Sequence, residues 1–459
     1  MTGEWGTGLG VYIPLTIYLT GCLAAALSIF WKPQAGLYFL VLLIPLQTTR
    51  DRIGHFPLGA EMVDLLWLSI LVALLMRGGL TSFPRSPLLK WLAVLAVLTY
   101  SSLWLGSLNL GIQLPIFISD PRFSDWKNYM VMPMICFVVA GALKDTKDIK
   151  YLVVFMILAS AIVNWSFFRS TAGRDFSHFS YEVRDAGVLG YAGVNGFAAF
   201  VAQSIVFLST LYFFLRERLL RLAIVIALGF SVYCLLFSFS RGAYFACLLG
   251  VSFMALFKQK KLLLGILVLV VTWQVILPNA VQERINMTYD KSDNTLEPSA
   301  GDRVMLWEDA IGLFFRSPVM GTGFDTYQFM HRVGYYKDTH NYYMKVIVEM
   351  GLVGLFLLLV ILIRMFLLGF QLFRRAEEPF LQGLGLGFAA LIVCTALANL
   401  FGDRWTYLQV DGYMWVLLGC VMRGISILSE DKSRRAIGLE GANITSTQDL
   451  RQNELIGVT

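Results

Sequence analysis

Long apolar runs separated by short polar connections recur from one end of the 459-residue chain to the other. A run of roughly 20 apolar residues matches the ~30 Å hydrocarbon thickness of a bilayer, whereas a soluble core asks only for amphipathic stripes. By length and lack of charge, candidate spans fall at about 11–31, 35–47, 62–77, 88–106, 126–143, 149–168, 188–215, 219–238, 241–257, 262–278, 341–370, 380–401 and 410–428. The second is short and the seventh long, so the pattern predicts an all-α polytopic membrane protein of about 12–13 transmembrane helices. Four regions follow: N-terminal transmembrane helices over 1–278, a large loop with an amphipathic helix over 279–340, C-terminal transmembrane helices over 341–428, and a tail over 429–459. The tail loses periodicity and turns polar, as disordered segments do. No small-residue cleavage site follows the first apolar run, which therefore reads as a retained helix.

Composition agrees, at 57% hydrophobic and 15% charged residues, and the placement of charge adds sidedness. Arg77/Arg85/Lys90, Lys144/Lys147/Lys150, Arg216/Arg218/Arg221, Lys258/Lys260/Lys261, Arg374/Arg375 and Lys432/Arg434/Arg435 occupy every second connection. Basic residues in short loops mark the cytoplasmic side, so the C-terminal tail is expected inside. The connections near 48–60, 107–125, 169–187, 238–241, 279–340 and 402–409 then face outward. The side of the N-terminus stays open, because Met1 to Gly10 carries no basic residue and 12 or 13 spans place it on opposite sides. The net charge of +6 is mostly this inside bias and gives no reason to expect nucleic acid. All six cysteines fall within proposed spans, so no disulfide framework is expected.

Arginines on the outward side are the first chemical signal. Arg169, Arg174, Arg184, Arg241, Arg303, Arg316, Arg332 and Arg404 lie where the insertion rule supplies no reason for positive charge. Arginine's planar fork suits two phosphate oxygens at once, although an outward arginine also serves by snorkelling or by pairing with a nearby acid. Arg241 sits in a very short connection, Phe237-Ser238-Phe239-Ser240-Arg241-Gly242-Ala243, close to membrane depth. Such a charge needs an anion or a wet cavity. Arg303 shares a helical stripe with Leu306, Trp307, Ala310 and Phe314, so an amphipathic helix on the membrane surface would aim it inward, with Glu308 and Asp309 on solvated faces.

The second signal is Thr339-His340-Asn341-Tyr342-Tyr343, followed by Glu349 and Gly351 on one apolar helix. With Asp338 or Thr339 as cap, His340 falls in the first turn, where the helix dipole disfavours imidazolium and a neutral general base is favoured. The competing reading is a helix-entry histidine facing headgroups. Between the two signals, Pro318, Gly321 and Gly323 read as a turn rather than a phosphate loop. The sequence has no Asp-x-Asp, no His-x-His and no cysteine pair at ligand spacing, so neither a metal cage nor a cofactor is expected.

The ordered set Arg184-x-x-Gly187, Asn195, Ser240-Arg241-Gly242, Arg303-x-x-x-Trp307, Pro318-x-x-Gly321-x-Gly323, His340-Asn341-x-Tyr343 and Glu349-x-Gly351 resembles the O-antigen ligase and polymerase superfamily, most strongly over about 184–360. The resemblance implies a GT-C-like glycosyltransferase of the bacterial inner membrane, its active site facing the periplasm. It would take a glycan donor linked to undecaprenyl diphosphate and a lipid-linked glycan acceptor, with membrane lipids around it. His340 would be the catalytic base, Arg241 and Arg303 would hold the diphosphate, and Arg184, Asn195, Asn341 and Tyr343 would contribute to substrate binding. Displacing a lipid diphosphate from an anomeric carbon needs a deprotonated hydroxyl and neutralisation of the leaving charge, which one histidine and paired arginines supply. A ligase transferring to a lipid A-core is the preferred reading, with a polymerase of the same superfamily as its alternative. A transporter or a non-catalytic scaffold is the contrasting class. Transport is disfavoured by the sparse charge within spans and by the absence of inverted repeats.

Overall fold

The computed structural model describes residues 12–456 apart from 80–82, 85, 118, 288, 291–294, 297 and 335, with side chains through residue 432 except over 288–300. Met1 to Gly10 and Arg85, used above for sidedness, lie outside the described residues. The first helices are α1 (Ile13–Phe30), α2 (Gln34–Leu43), α3 (Gln47–Ile53), α4 (Met62–Gly78), α5 (Leu88–Leu110), α6 (Pro121–Ala142) and α7 (Thr146–Thr171). A connection with two 3-10 turns, Tyr181–Val183 and Gly187–Ala192, leads to α8 (Gly193–Phe214), α9 (Arg218–Phe237), α10 (Arg241–Lys258) and α11 (Lys260–Ile276). The large loop holds α12 (Asn279–Asn286), a two-residue antiparallel pairing of Tyr289 with Leu296 and Asp290 with Thr295, α13 (Pro298–Arg316) and α14 (Tyr327–Met330). The chain ends in α15 (Tyr342–Arg375), α16 (Pro379–Ala398) and α17 (Leu408–Ile456).

Among the described residues, nine helices are long and apolar enough to cross a membrane, or ten if α11 and α12, bent by 104°, form one span. The pattern predicted 12–13, and the difference has a geometric cause. At 1.5 Å per residue the ten residues of α2 reach only about 15 Å. The 17 residues of α4 reach about 25 Å, and α6 opens with Arg122, Asp125 and Lys127. By length for α2 and α4, and by this polar opening for α6, they fall short of the nine long apolar helices. The chain is an all-α polytopic membrane protein. The tail, predicted to lack structure, continues the α17 helix through Ile456. Beyond Leu428 no apolar stripe remains in the sequence to pack that extension.

The centre of the bundle is α8 and α16, the two most buried spans, with α15, α10 and α17 around them. The feature that positions the loop helices is a break in α15. Gly351 adopts φ 62° and ψ −162° in the middle of that apolar helix. A helix broken there frees carbonyls before the break and N–H groups after it, and none can remain unsatisfied away from water. The segment 318–323 supplies the partners: Thr322 N–H donates to Val348 O and Gly323 N–H to Glu349 O, both at 2.8 Å, while Leu352 N–H donates to Pro318 O at 2.9 Å. The Glu349 carboxylate, 2% exposed, accepts the backbone N–H groups of Asp325 at 3.0 Å and Tyr327 at 3.2 Å. The motif Pro318-x-x-Gly321-x-Gly323 with Glu349-x-Gly351 is thus one docking device, as the turn reading of the glycines expected.

Contact of backbone against backbone is what demands glycine there. A Cβ on Gly351 would lie 2.2 Å from Val319 O, and one on Gly321, at φ 71°, would lie 2.4 Å from the Glu349 carbonyl carbon. Gly351→Ala is therefore expected to lower the thermal denaturation midpoint of the detergent-purified protein, through strain of about 1–3 kcal/mol plus the displaced contact. An unchanged midpoint would show that segment 318–323 is not docked in this way.

Candidate active site

Four of the eight outward arginines are accounted for without any ligand. Arg169 and Arg316 are exposed at helix ends, Arg174 pairs with Asp185 at 2.7 Å, and Arg332 grips Asp309 through Nη2 at 2.8 Å and Nε at 2.9 Å. Asp309 also receives the Tyr327 hydroxyl at 3.4 Å, so it is a structural partner rather than the solvated charge expected. The other four, Arg184, Arg241, Arg303 and Arg404, line a single cavity. Arg284 joins them, and among the described residues that line the cavity there is no Asp or Glu.

Each arginine arrives on a different element. Arg184 ends the first 3-10 turn, and its Nη2 donates to Asn195 Oδ1 at 2.9 Å. The same oxygen accepts the Ser240 hydroxyl at 3.0 Å, so Asn195 on α8 ties Arg184 to the start of α10. Ser240 occupies the N-cap position of α10, yet its side chain makes no cap hydrogen bond there. Arg241, Gly242 and Ala243, the first turn of that helix, all line the cavity, which turns the positive end of the α10 dipole toward it. The chain enters this turn through Phe239, fully buried with φ 53°. Gly242 is required by the Phe401 ring, which a Cβ would meet at 2.7 Å.

Arg284 comes from α12 and is 4% exposed. Its guanidinium lies 4.9 Å from the Phe179 ring and 5.3 Å from the Tyr181 ring, with Nε donating to Phe239 O at 3.4 Å. The clamp on α12 is completed by Glu283, which receives Phe179 N–H at 2.7 Å and contacts His178 Nδ1 at 2.8 Å. Arg404, in the connection from α16 to α17, donates to the Asp403 and Phe401 carbonyls at 3.3 and 3.4 Å. Burial pulls its guanidinium below the ordinary range, against the opposing charge of Asp338 and Asp403.

Arg303 reaches the cavity from α13. One stripe of that helix packs into the protein: Leu306, Ala310 and Leu313 are buried, and Ala310 and Leu313 cluster with Val348 of α15 and with Tyr327. Trp307, on the same stripe, donates from Nε1 to Thr339 O at 3.0 Å, fastening α13 to the segment that carries His340. His340 lies in a second cavity of about 280 Å³. The two cavities share Asn195, Arg303, Phe401 and Arg404, so the imidazole and the arginine cluster face one another across a common wall.

His340 itself departs from the expected geometry. The N-cap of α15 is Asn341, whose Oδ1 accepts the N–H groups of Tyr343 at 3.0 Å and Met344 at 3.3 Å. Neither Asp338 nor Thr339 caps the helix, and His340 stands just before it, with φ 49°, rather than in its first turn. The reason is local competition: Asp338 Oδ1 receives the His340 backbone N–H and also lies 2.8 Å from His340 Nδ1, and Thr339 Oγ1 donates to Asn341 O at 2.7 Å. Asn341 and Tyr343, expected to touch substrate, are otherwise engaged, the latter through its hydroxyl to Ala396 O at 2.8 Å. Arg184, Asn195, Arg241, Arg303 and His340 are brought together as the motif order suggested.

Residues 225–359 match the family described as O-antigen ligase. The likeness covers under a third of the chain. No curated protein matches the chain at a significant level. The O-antigen ligase match spans Arg241, Arg284, Arg303 and His340, while Arg184, Asn195 and Arg404 come from outside it. Arg284 escaped the sequence reading because it sits in a short polar helix with no motif around it. Arg404 was visible only as one more outward arginine.

Loss of the α15 cap is a direct test of the geometry around His340. Asn341→Ala is expected to cost about 0.5–2 kcal/mol of stability while Asn341→Asp, an equally good cap, costs little. Thermal denaturation of both variants checks this, and equal midpoints for the two would remove Asn341 from the cap.

Proposed function

We propose that the protein is a periplasm-facing glycosyltransferase of the O-antigen ligase type in the bacterial inner membrane, with its C-terminus in the cytoplasm. It moves a glycan from undecaprenyl diphosphate onto a lipid-anchored acceptor such as lipid A-core. The carrying observation is the cavity on which five arginines converge, adjoining the His340 cavity. Guanidinium groups converging on one cavity offer paired N–H donors and positive charge that suit the oxygens of a diphosphate.

The chemistry follows from the arrangement. The acceptor hydroxyl gives its proton to His340 as its oxygen bonds to the anomeric carbon of the donor sugar. The bond from that carbon to the diphosphate oxygen breaks, and the electron pair leaves with the lipid diphosphate, whose developing charge meets Arg241, Arg303 and their neighbours. One displacement with no covalent intermediate inverts the anomeric carbon. Because the arginines carry the charge neutralisation, the reaction proceeds without a divalent cation.

Purified protein in proteoliposomes, given lipid-linked glycan together with lipid A-core in the presence of chelator, should transfer the glycan to the core. A ladder growing on the lipid carrier instead would identify a polymerase, and no transfer of either kind would overturn the reading. His340→Ala is expected to lose about 10²–10⁴-fold in rate and to remain folded, because the side chain is 39% exposed.

Lysine keeps the charge of arginine but not its fork. Arg241→Lys and Arg303→Lys should each forfeit a charge-assisted hydrogen bond worth about 1.5–3 kcal/mol, roughly 10- to 100-fold in rate. The exposed control Arg316→Lys should be silent, and equal activity of all three variants would leave the arginines as general positive charge only.

A further inference from the structure

A histidine acts as a base only through a ring nitrogen that is bare and faces the reacting hydroxyl, and the bond made by the other nitrogen decides which one that is. His340 Nδ1 lies 2.8 Å from Asp338 Oδ1. An ionised carboxylate only accepts, so Nδ1 carries the hydrogen and Nε2 keeps its lone pair. The same carboxylate oxygen accepts the His340 backbone N–H, the two-residue Asx turn that Asp and Asn favour. One side chain thus fixes both the left-handed backbone of His340, at φ 49°, and its ring. The Tyr336 ring adds an edge contact to the imidazole, with centroids 5.5 Å apart at 81°.

We infer that Asp338 is the positioning residue for His340: it holds the ring with Nε2 bare and stabilises the imidazolium formed when Nε2 takes the acceptor's proton. The inference rests on His340 being the base of the proposed reaction.

The surroundings leave Asp338 to that task. Lys345 bonds Asp403 at 3.3 Å, Arg404 donates to backbone carbonyls, and the Tyr336 hydroxyl is taken by Asp302. Tyr191, Arg303 and Tyr407 complete the charged and titratable groups among the described residues that line the cavity with the pair. Burial pulls the Asp338 carboxyl up, but the hydrogen bonds and charge of His340, with help from Lys345, outweigh it and hold the group at about 2. Asp338 is anionic throughout the range in which an imidazole works.

Asp338→Asn separates the electrostatic role from the structural one, because asparagine makes the same Asx turn without the charge and offers Nδ1 an amide of either polarity. The variant is expected to keep the thermal midpoint and the KM for lipid-linked donor, while kcat for transfer falls by about 10²–10⁴-fold. In ¹⁵N-histidine-labelled protein in nanodiscs, the neutral His340 signal, assigned by its loss in His340→Gln, should report hydrogen on Nδ1 in wild type and a shift toward Nε2 in Asp338→Asn. Wild-type His340 with its hydrogen on Nε2, or an Asp338→Asn variant with wild-type kcat, would overturn the inference. Full transfer by His340→Gln would instead overturn the base assignment, a failure the spectrum distinguishes because it needs no turnover.

Discussion

Five guanidinium groups gathered around one cavity are the constraint on which the arrangement turns. Positive charges repel at short range, and repulsion grows as water is withdrawn. Flexible side chains on one element would splay apart. Here each arginine is delivered by a separate element: the connection before α8, the first turn of α10, the short helix α12, the loop helix α13 and the connection before α17. The aromatic clamp of Phe179 and Tyr181 on Arg284, and the carbonyls beneath Arg404, help to hold the groups in place. Such a cluster is matched to a multiply charged anion.

The break in α15 organises the other half of the site. At Gly351 the helix gives up its own backbone bonds to segment 318–323, which fixes that segment and, through Glu349, the turn that follows it. α13 rests against the same helix and reaches the His340 segment through Trp307. Arg303 and His340 are therefore set by one packing unit, although 37 positions separate them in the chain. A glycine pair and a buried glutamate thus determine where His340 and the arginine cavity meet.

Much of this was legible in the sequence, for identifiable reasons. Apolar length gives the class, because a bilayer imposes it on every span. Arg241 stood out because its connection is too short to reach bulk water, and Arg303 because an arginine on an apolar stripe has to face something. The expected span number exceeds the nine long apolar helices because α2 and α4 are short and α6 is polar-headed, features that a reading of apolar runs alone passes over. Arg284 carried no local pattern, since its partners Phe179 and Tyr181 lie a hundred positions earlier. Asn341 displaced Asp338 and Thr339 as cap because both of those side chains are taken up by the turn around His340, a competition among neighbours that residue preference does not resolve.

The central claim is that the arginine cavity holds a lipid-linked diphosphate beside His340. Electron cryomicroscopy of the protein in nanodiscs with undecaprenyl diphosphate tests it most directly. The account predicts diphosphate density between the first turn of α10 and α13, within hydrogen-bond distance of Arg241 and Arg303 and opening toward His340. Density for the diphosphate elsewhere on the bundle, with this cavity unchanged, would contradict it.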